Sequence, residues 1–426
     1  MDFWTGIGIL VVGLIGLRFI TQLGKSMPIL ELMLFIAAAQ WILGPLIEYN
    51  APSFHYKYYM YVEQERYMGF VVPAFTVFAG AVLVGMRSIG QTHFSIERLQ
   101  QFKDYGLTIF GIGVAFDLVA SILPGSLAFF AAIVANFKFV GAIILFFSHD
   151  PRLKKLFYVM LVYLFLRALQ AAMFHDLVLW SVFFYMFWAL KFKPSMKLIS
   201  LTLLVGALSL TTLQTIKMAY RLQVWNGFSG NKLELFVGLV ADAVFTNGTN
   251  TNELTGELNN VRLNQGWIIS AIMDEIPRRT AFLEGETITE AIGASLLPRF
   301  LNPNKKSAGG QDNFRTFTGL SLGDNTSMGI SVIGEAYGNY KEFGGTIFMG
   351  FWGLFLALFW RFLYKKVQQN LLVLAFLPLI FLQVVKAETE LVVVLNHLIK
   401  ASIVVFGFLW AAKRFLNWDF TDVNDH

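Results

Sequence analysis

The sequence contains no cysteine, so disulfides, zinc–thiolate sites, iron–sulfur clusters and cysteine nucleophiles are excluded. It is also poor in charge. Only 14% of its 426 residues are Asp, Glu, Lys or Arg, against about 25% in soluble domains, and long uncharged windows separate the clusters. No internal repeat and no low-complexity tract is present. What is abundant is apolar: 56% hydrophobic residues and a mean hydropathy of +0.59 describe a chain that lives in lipid. Soluble enzyme folds, disordered scaffolds and nucleic-acid binders fit this composition poorly, and no nucleic-acid partner is expected. The net charge of +5 is better explained by topology than by a polyanion-binding surface.

A helix needs about 20 mostly apolar residues to cross the hydrocarbon core. Eleven stretches qualify, at about 3–20, 27–47, 67–86, 105–123, 126–148, 156–174, 177–190, 197–218, 343–363, 370–386 and 391–412. The seventh is short and reads equally as re-entrant, which would give ten spans with 156–190 as one bent unit. The first opens on Asp2 and lacks a small-residue cleavage site, so it reads as a span and not as a signal peptide. The expected fold is thus an all-α polytopic membrane protein.

Lys and Arg in short loops mark the cytoplasmic side. With the amino terminus outside, Arg18, Lys25, Arg87, Arg98, Lys103, Arg152, Lys154, Lys155, Lys191, Lys193, Lys197, Arg361, Lys365, Lys366, Lys413 and Arg414 fall inside. Only Lys57, Arg66 and Lys386 fall in short outer loops. The resulting division is 1–220 with eight spans, 221–342 as one external loop, 343–412 with three spans, and a cytoplasmic tail 413–426. The loop holds 13 acidic and 10 basic residues. Asn260 to Met273 and Thr287 to Leu297 read as amphipathic helices within it, as does the stretch around Ala241-Asp242-Ala243. Asn302 to Gly310 reads as open loop.

Ionisable side chains within spans are expensive and usually face a cavity or one another. Asp117, Lys138, Arg167, His397 and Lys400 occupy such positions. At about 1.5 Å per residue from the nearest outer turn, Asp117, Arg167 and His397 lie at a common depth of roughly 10–12 Å. The spacing is consistent with an outward-opening polar pocket, and equally with an Asp117–Arg167 ion pair and a histidine bonded to a carbonyl.

The external loop is rich in arginine, including Arg262, Arg278, Arg279, Arg299 and Arg315, beside Lys305 and Lys306. The planar guanidinium suits bidentate phosphate recognition, although each of these also has loop carboxylates to pair with. Pro298 and Pro303 bracket a stiff, extended segment that can hold Arg299 in a fixed direction. Further on, Glu335, Tyr337 and Asn339 in Ser331-Val332-Ile333-Gly334-Glu335-Ala336-Tyr337-Gly338-Asn339 present one carboxylate and two hydrogen-bonding groups, with Gly344-Gly345 behind them. Helix-start chemistry at a membrane interface accounts for the same residues.

Together, Arg262-Leu263, Pro298-Arg299 with Pro303 and Lys305, Phe317-Thr318-Gly319 and the stretch from Ser327 to Gly344-Gly345 resemble the bacterial O-antigen polymerase (Wzy-type) or oligosaccharide repeat-unit polymerase family. The motif resemblance covers Arg262 to about Gly350; elsewhere only the topology is similar. The sequence departs from the family pattern at Tyr340-Lys341-Glu342-Phe343, which is longer and more charged.

The resemblance implies a C-type, metal-independent membrane glycosyltransferase without cofactors, in the bacterial inner membrane. Undecaprenyl-diphosphate-linked oligosaccharide would be both donor and acceptor, with membrane lipids and a chain-length regulator protein as partners. In this reading Arg262, Arg278, Arg299 and Lys305, with Arg167 beneath, bind the departing diphosphate. Glu335 or His397 takes the acceptor proton, and Tyr337 and Asn339 bind sugar. The acidic pair in Glu63-Gln64-Glu65 is the one place where a metal would be sought. An O-antigen ligase and a lipid-linked oligosaccharide or polysaccharide transporter are the competing readings. A transporter should show inverted repeats and broken helices, and neither is apparent in the sequence.

Overall fold

The computed structural model describes residues 3–52, 58–87, 96–120, 122–123, 125–245, 263–296, 311–323 and 326–420. All regular elements among these residues are helical. Arg262, Arg299 and Lys305 lie outside the described residues, as do Pro298 and the 302–310 stretch.

The helices run α1 Phe3–Gln22, α2 Ile29–Asn50, α3 Gln64–Met86, α4 Lys103–Val119, α5 Gly125–Ala135, α6 Phe137–Phe146, α7 Pro151–Ala171, α8 His175–Phe192 and α9 Met196–Trp225. They continue as α10 Lys232–Phe245, α11 Gly266–Glu275, α12 Glu286–Leu296, α13 Gln311–Thr318, α14 Val332–Gln369, α15 Leu372–Ile380 and α16 Leu391–Phe415. Seven helical stretches, α1, α2, α3, Leu127–Phe146, α9, α14 and α16, are long and apolar enough to cross a membrane. The protein is therefore a multi-pass, all-helical membrane protein. Helices α4, α7 and α8 coincide with three further expected spans.

The remaining expected span, 370–386, departs from expectation. It is helical only as α15, nine residues long, which reaches about 14 Å, half of a hydrocarbon core of about 30 Å. Phe381 to Glu390 then continue as turns to the start of α16. The chain thus contains a broken helix that its hydropathy conceals.

Local chemistry explains several junctions. Helix α2 accommodates a π turn, Ala39–Leu43, just before Pro45, whose ring and missing N–H disrupt regular α-helical bonding. Helix α7 starts on Asp150, whose carboxylate accepts from the Arg152 N–H at 2.8 Å. Its last carbonyls are closed by side chains of α9 and α10. The Tyr220 hydroxyl donates to Leu169 O at 2.8 Å, Lys232 Nζ to Gln170 O at 3.1 Å, Trp225 Nε1 to Ala171 O at 3.3 Å and Arg221 Nε to Ala172 O at 2.8 Å. Four orphan acceptors at a helix terminus are thereby satisfied, two by cations that also suit the negative end of the dipole.

Close helix contact in lipid relies on small residues. A Cβ at Gly113 of α4 would stand 2.0 Å from Lys138 N, and one at Gly141 of α6 would stand 2.5 Å from Phe110 N. These two glycines bring the α4 and α6 backbones together and carry Asp117 to Lys138.

Described parts of the segment between α9 and α14 pack against other helices. Helix α12 lays its buried face (Thr287, Ile288, Ala291, Ala294 and Ser295) against α16. Helix α14 begins at Val332, ahead of the expected start at 343, so the Glu335 to Asn339 motif is helical. The helix kinks at Lys341, which takes φ 63°, a conformation costing an L-residue on the order of 1–3 kcal/mol.

Candidate functional site

Non-helical backbone at membrane depth persists only where protein wraps it and satisfies its polar groups. The Phe381 to Glu390 segment is enclosed by protein and bonded, within it and at both its ends, to residues distant in sequence. Ahead of it, His397 Nε2 pairs with Leu379 O at 2.8 Å. Within it, Trp41 Nε1 donates to Ala387 O at 3.3 Å and the Ser331 N–H donates to Glu388 O at 3.3 Å. Just beyond it, Leu391 N–H, at the positive end of α16, donates to Glu335 Oε2 at 2.9 Å. Asn313 Nδ2 donates to Glu390 Oε2 at 3.2 Å. Gly329 packs so closely that a Cβ there would stand 2.2 Å from Glu388 O.

Glu335 and His397, the two expected proton acceptors, therefore bracket one segment. Glu335 is 1% exposed, and His397 is buried as well. The Thr287 hydroxyl also donates to Glu335. Asn339, one turn along α14, donates Nδ2 to Thr287 Oγ1 at 2.8 Å and accepts the Gly285 N–H at 3.0 Å. This chain of bonds locks the start of α12 to α14 and α16. Tyr337 is buried as well; its hydroxyl receives Arg66 Nη2 at 3.3 Å and donates to Ile276 O at 3.4 Å. The expected sugar-binding pair thus has its polar atoms engaged within the protein.

Ser331 is the strained residue of the site. It takes φ 62° at the start of α14, is fully buried, and its Oγ has no hydrogen-bond partner among the described residues. A small cavity adjoins it, lined by Trp41, Val332, Lys386 and Thr389 among apolar side chains.

The pinned segment directs two charged side chains toward the start of α8. His175 Nδ1 lies 3.8 Å from Glu388 Oε1, and Lys386 Nζ lies 3.9 Å from Asp176 Oδ1. The side chains of His175, Asp176 and Glu388 are partly exposed, unlike those of Glu335 and His397, but the His175 Nε2 atom itself is enclosed. A histidine beside a carboxylate can accept a proton and have the resulting cation stabilised. His175 and Glu388 carry no local motif, and only the half-helix α15 brings them together.

The expected phosphate-binding residues are dispersed. Arg278 pairs with Asp274 one turn earlier, and the neighbouring Arg279 pairs with Glu275 at 3.0 Å. Arg167 meets Asp117 at 2.6 Å, with Lys138 2.9 Å from the same oxygen. Of the outward-opening pocket anticipated for Asp117, Arg167 and His397, the first two form an ion pair, while His397 bonds the Leu379 carbonyl. Asp117 also sits two residues before the end of α4 at Val119, nearer the helix end than the count from Pro124 implied. Aromatics gather near α11: exposed Tyr59 stacks on half-buried Tyr61 at 4.2 Å, and half-buried Tyr58 meets the buried Trp267 edge-on at 4.9 Å. Among the described residues no three His, Asp or Glu side chains stand where they could hold one metal ion.

No family model, no curated protein and no solved structure matches this chain.

Proposed function

We propose that this protein is an inner-membrane glycosyltransferase of about eleven spans that polymerises undecaprenyl-diphosphate-linked oligosaccharide repeat units, with its amino terminus periplasmic and its carboxyl terminus cytoplasmic. The observation that carries the reading is the pinned Phe381 to Glu390 segment, which holds Glu388 and Lys386 against His175 and Asp176. The reaction would form a bond from an acceptor hydroxyl oxygen to the anomeric carbon of the donor. The bond from that carbon to the diphosphate oxygen breaks, and undecaprenyl diphosphate leaves. A sugar hydroxyl is a weak nucleophile and benefits from a base. His175, backed by Glu388, is the histidine assigned to take its proton, with Glu335 and His397 as positioning residues that hold the segment. Its ring edge is accessible but its Nε2 is enclosed, so the acceptor hydroxyl must displace the covering groups to reach it. Arg167 and Arg278 are the described members of the cation set for the leaving diphosphate, and Tyr59 over Tyr61 offers an exposed face for a sugar ring.

The test is incubation of purified protein with lipid-linked repeat units, with products resolved by length. A ladder of longer lipid-linked glycans supports the reading. Transfer to another acceptor without a ladder points to a ligase. The broken span favours one rival from another class, since transporters build their sites from interrupted helices. Movement of lipid-linked oligosaccharide across proteoliposomes with no new glycosidic bond would replace the enzyme reading with that one.

A further inference from the structure

Two cations share one carboxylate where the end of α4, the start of α6 and the last turns of α7 meet. Asp117 Oδ1 stands 2.9 Å from Lys138 Nζ and 2.6 Å from Arg167 Nη1, while its other oxygen accepts the Tyr163 hydroxyl. Within the contact cluster one negative charge faces two positive ones, and Asp176 is the further carboxylate that acts on Lys138. Lys138 does not present its charge outward: it is buried, donates also to Ala135 O at 3.0 Å, and lies over the rings of Phe139 and Tyr163. The cation presented outward is therefore Arg167, whose side chain is 56% exposed. Its Nη1 makes both bonds to the cluster, the second to the Tyr163 hydroxyl at 2.9 Å. The opposite edge, Nε with Nη2, has no hydrogen-bond partner among the described residues. That edge is the planar fork that takes two oxygens of a phosphate.

Exposed apolar side chains stand on the same helices, with Gln170 the exposed polar residue one turn beyond Arg167. Leu118 is 74% exposed and Ile122 80% on the α4 side, with Val162 and Leu166 also exposed on α7. A freely soluble anion gains nothing from that surface, whereas an amphiphile places its phosphate on the fork and its chain along the side chains. We propose that Arg167, oriented by Asp117 and Tyr163, binds the phosphate headgroup of a membrane lipid on the flank of the bundle. Arg167 also belongs to the cation set of the glycosyltransferase reading, but the lipid site is tested without turnover, so its failure and the failure of that reading are distinguishable.

Full-length protein purified in uncharged detergent is titrated with phosphatidylglycerol, with diacylglycerol, which has chains but no phosphate, and with inorganic pyrophosphate, which has phosphate but no chain. Bound lipid is counted by native mass spectrometry. Wild type should retain phosphatidylglycerol in preference to both comparators, and Arg167→Gln should weaken that binding by about tenfold, the scale of one charge-assisted contact. Asp117 keeps Lys138 in this variant, so the buried pair survives. Arg167→Lys, which keeps the charge and loses the fork, should fall between the two and serves if the glutamine variant is not recovered. Equal retention of diacylglycerol, displacement by pyrophosphate at matched concentration, or undiminished binding by both variants would each overturn the proposal.

Discussion

Helix α9 and the stretch from Leu371 to Glu390 are both expected spans, yet their surroundings are opposite. Over its 30 residues α9 buries only Ile199, Ile216, Lys217 and Tyr220, whereas every side chain from Leu371 to Leu382 is buried. A complete helix bonds its own backbone and can face lipid on most sides, held here by the cap its end provides to α7. A broken one leaves carbonyls and N–H groups that other side chains must meet, so it is enclosed. Enclosure also allows charged residues to be held at fixed positions. The region with the regular hydropathy signal is therefore mainly lipid-facing, and the irregular one carries the candidate chemistry.

The largest effect expected from breaking this contrast is on turnover. His175→Asn should lower formation of the glycan ladder by roughly 10²–10⁴-fold, as loss of a general base does, with normal membrane insertion and an unchanged thermal transition in detergent. Near-normal ladder formation would remove His175 from the mechanism. Next is packing beneath the segment: Phe376→Ala, at a fully buried position of α15, should cost about 3–5 kcal/mol, read as a large fall in the temperature at which the protein loses its monodisperse elution peak.

Glu335 sharpens the division between holding and reacting. Glu335→Ala leaves the Leu391 N–H without its acceptor and should destabilise by about 1–3 kcal/mol, while Glu335→Gln keeps a carbonyl oxygen there and should retain most activity. A glutamine variant that is fully stable yet inactive would return Glu335 to the role of base. The smallest effect belongs to α9. Leu204→Ala, at an exposed position, should shift stability by no more than about 0.5 kcal/mol, and a larger shift would mean that protein rather than lipid covers that face.

Several features were legible before the fold was known, for physical reasons. Lipid-spanning helices need long apolar stretches, which is why seven of the expected spans reappear as long apolar helices. The sequence singled out Glu335 and Asn339 but not the helix that carries them; it is because α14 starts early that they share one network. The pairing of Asp117 with Arg167 was one of two readings that the charges allowed. The segment 370–386 misled because hydropathy measures burial and not helicity, and a turn packed inside protein is as apolar as a helix in lipid. His175 and Glu388 were missed because neither side chain is unusual where it stands.

Composition and charge placement alone determined that the chain is a multi-pass helical membrane protein, because the energetic demand of the bilayer on each residue is local and additive along the chain. Tertiary structure decided which helix is interrupted, which carboxylate pins it, and which histidine remains partly exposed. Those outcomes depend on partners such as Leu391 for Glu335, Leu379 for His397 and Glu388 for His175. Hydrogen bonds between distant residues leave no period and no composition in the sequence that brings them together.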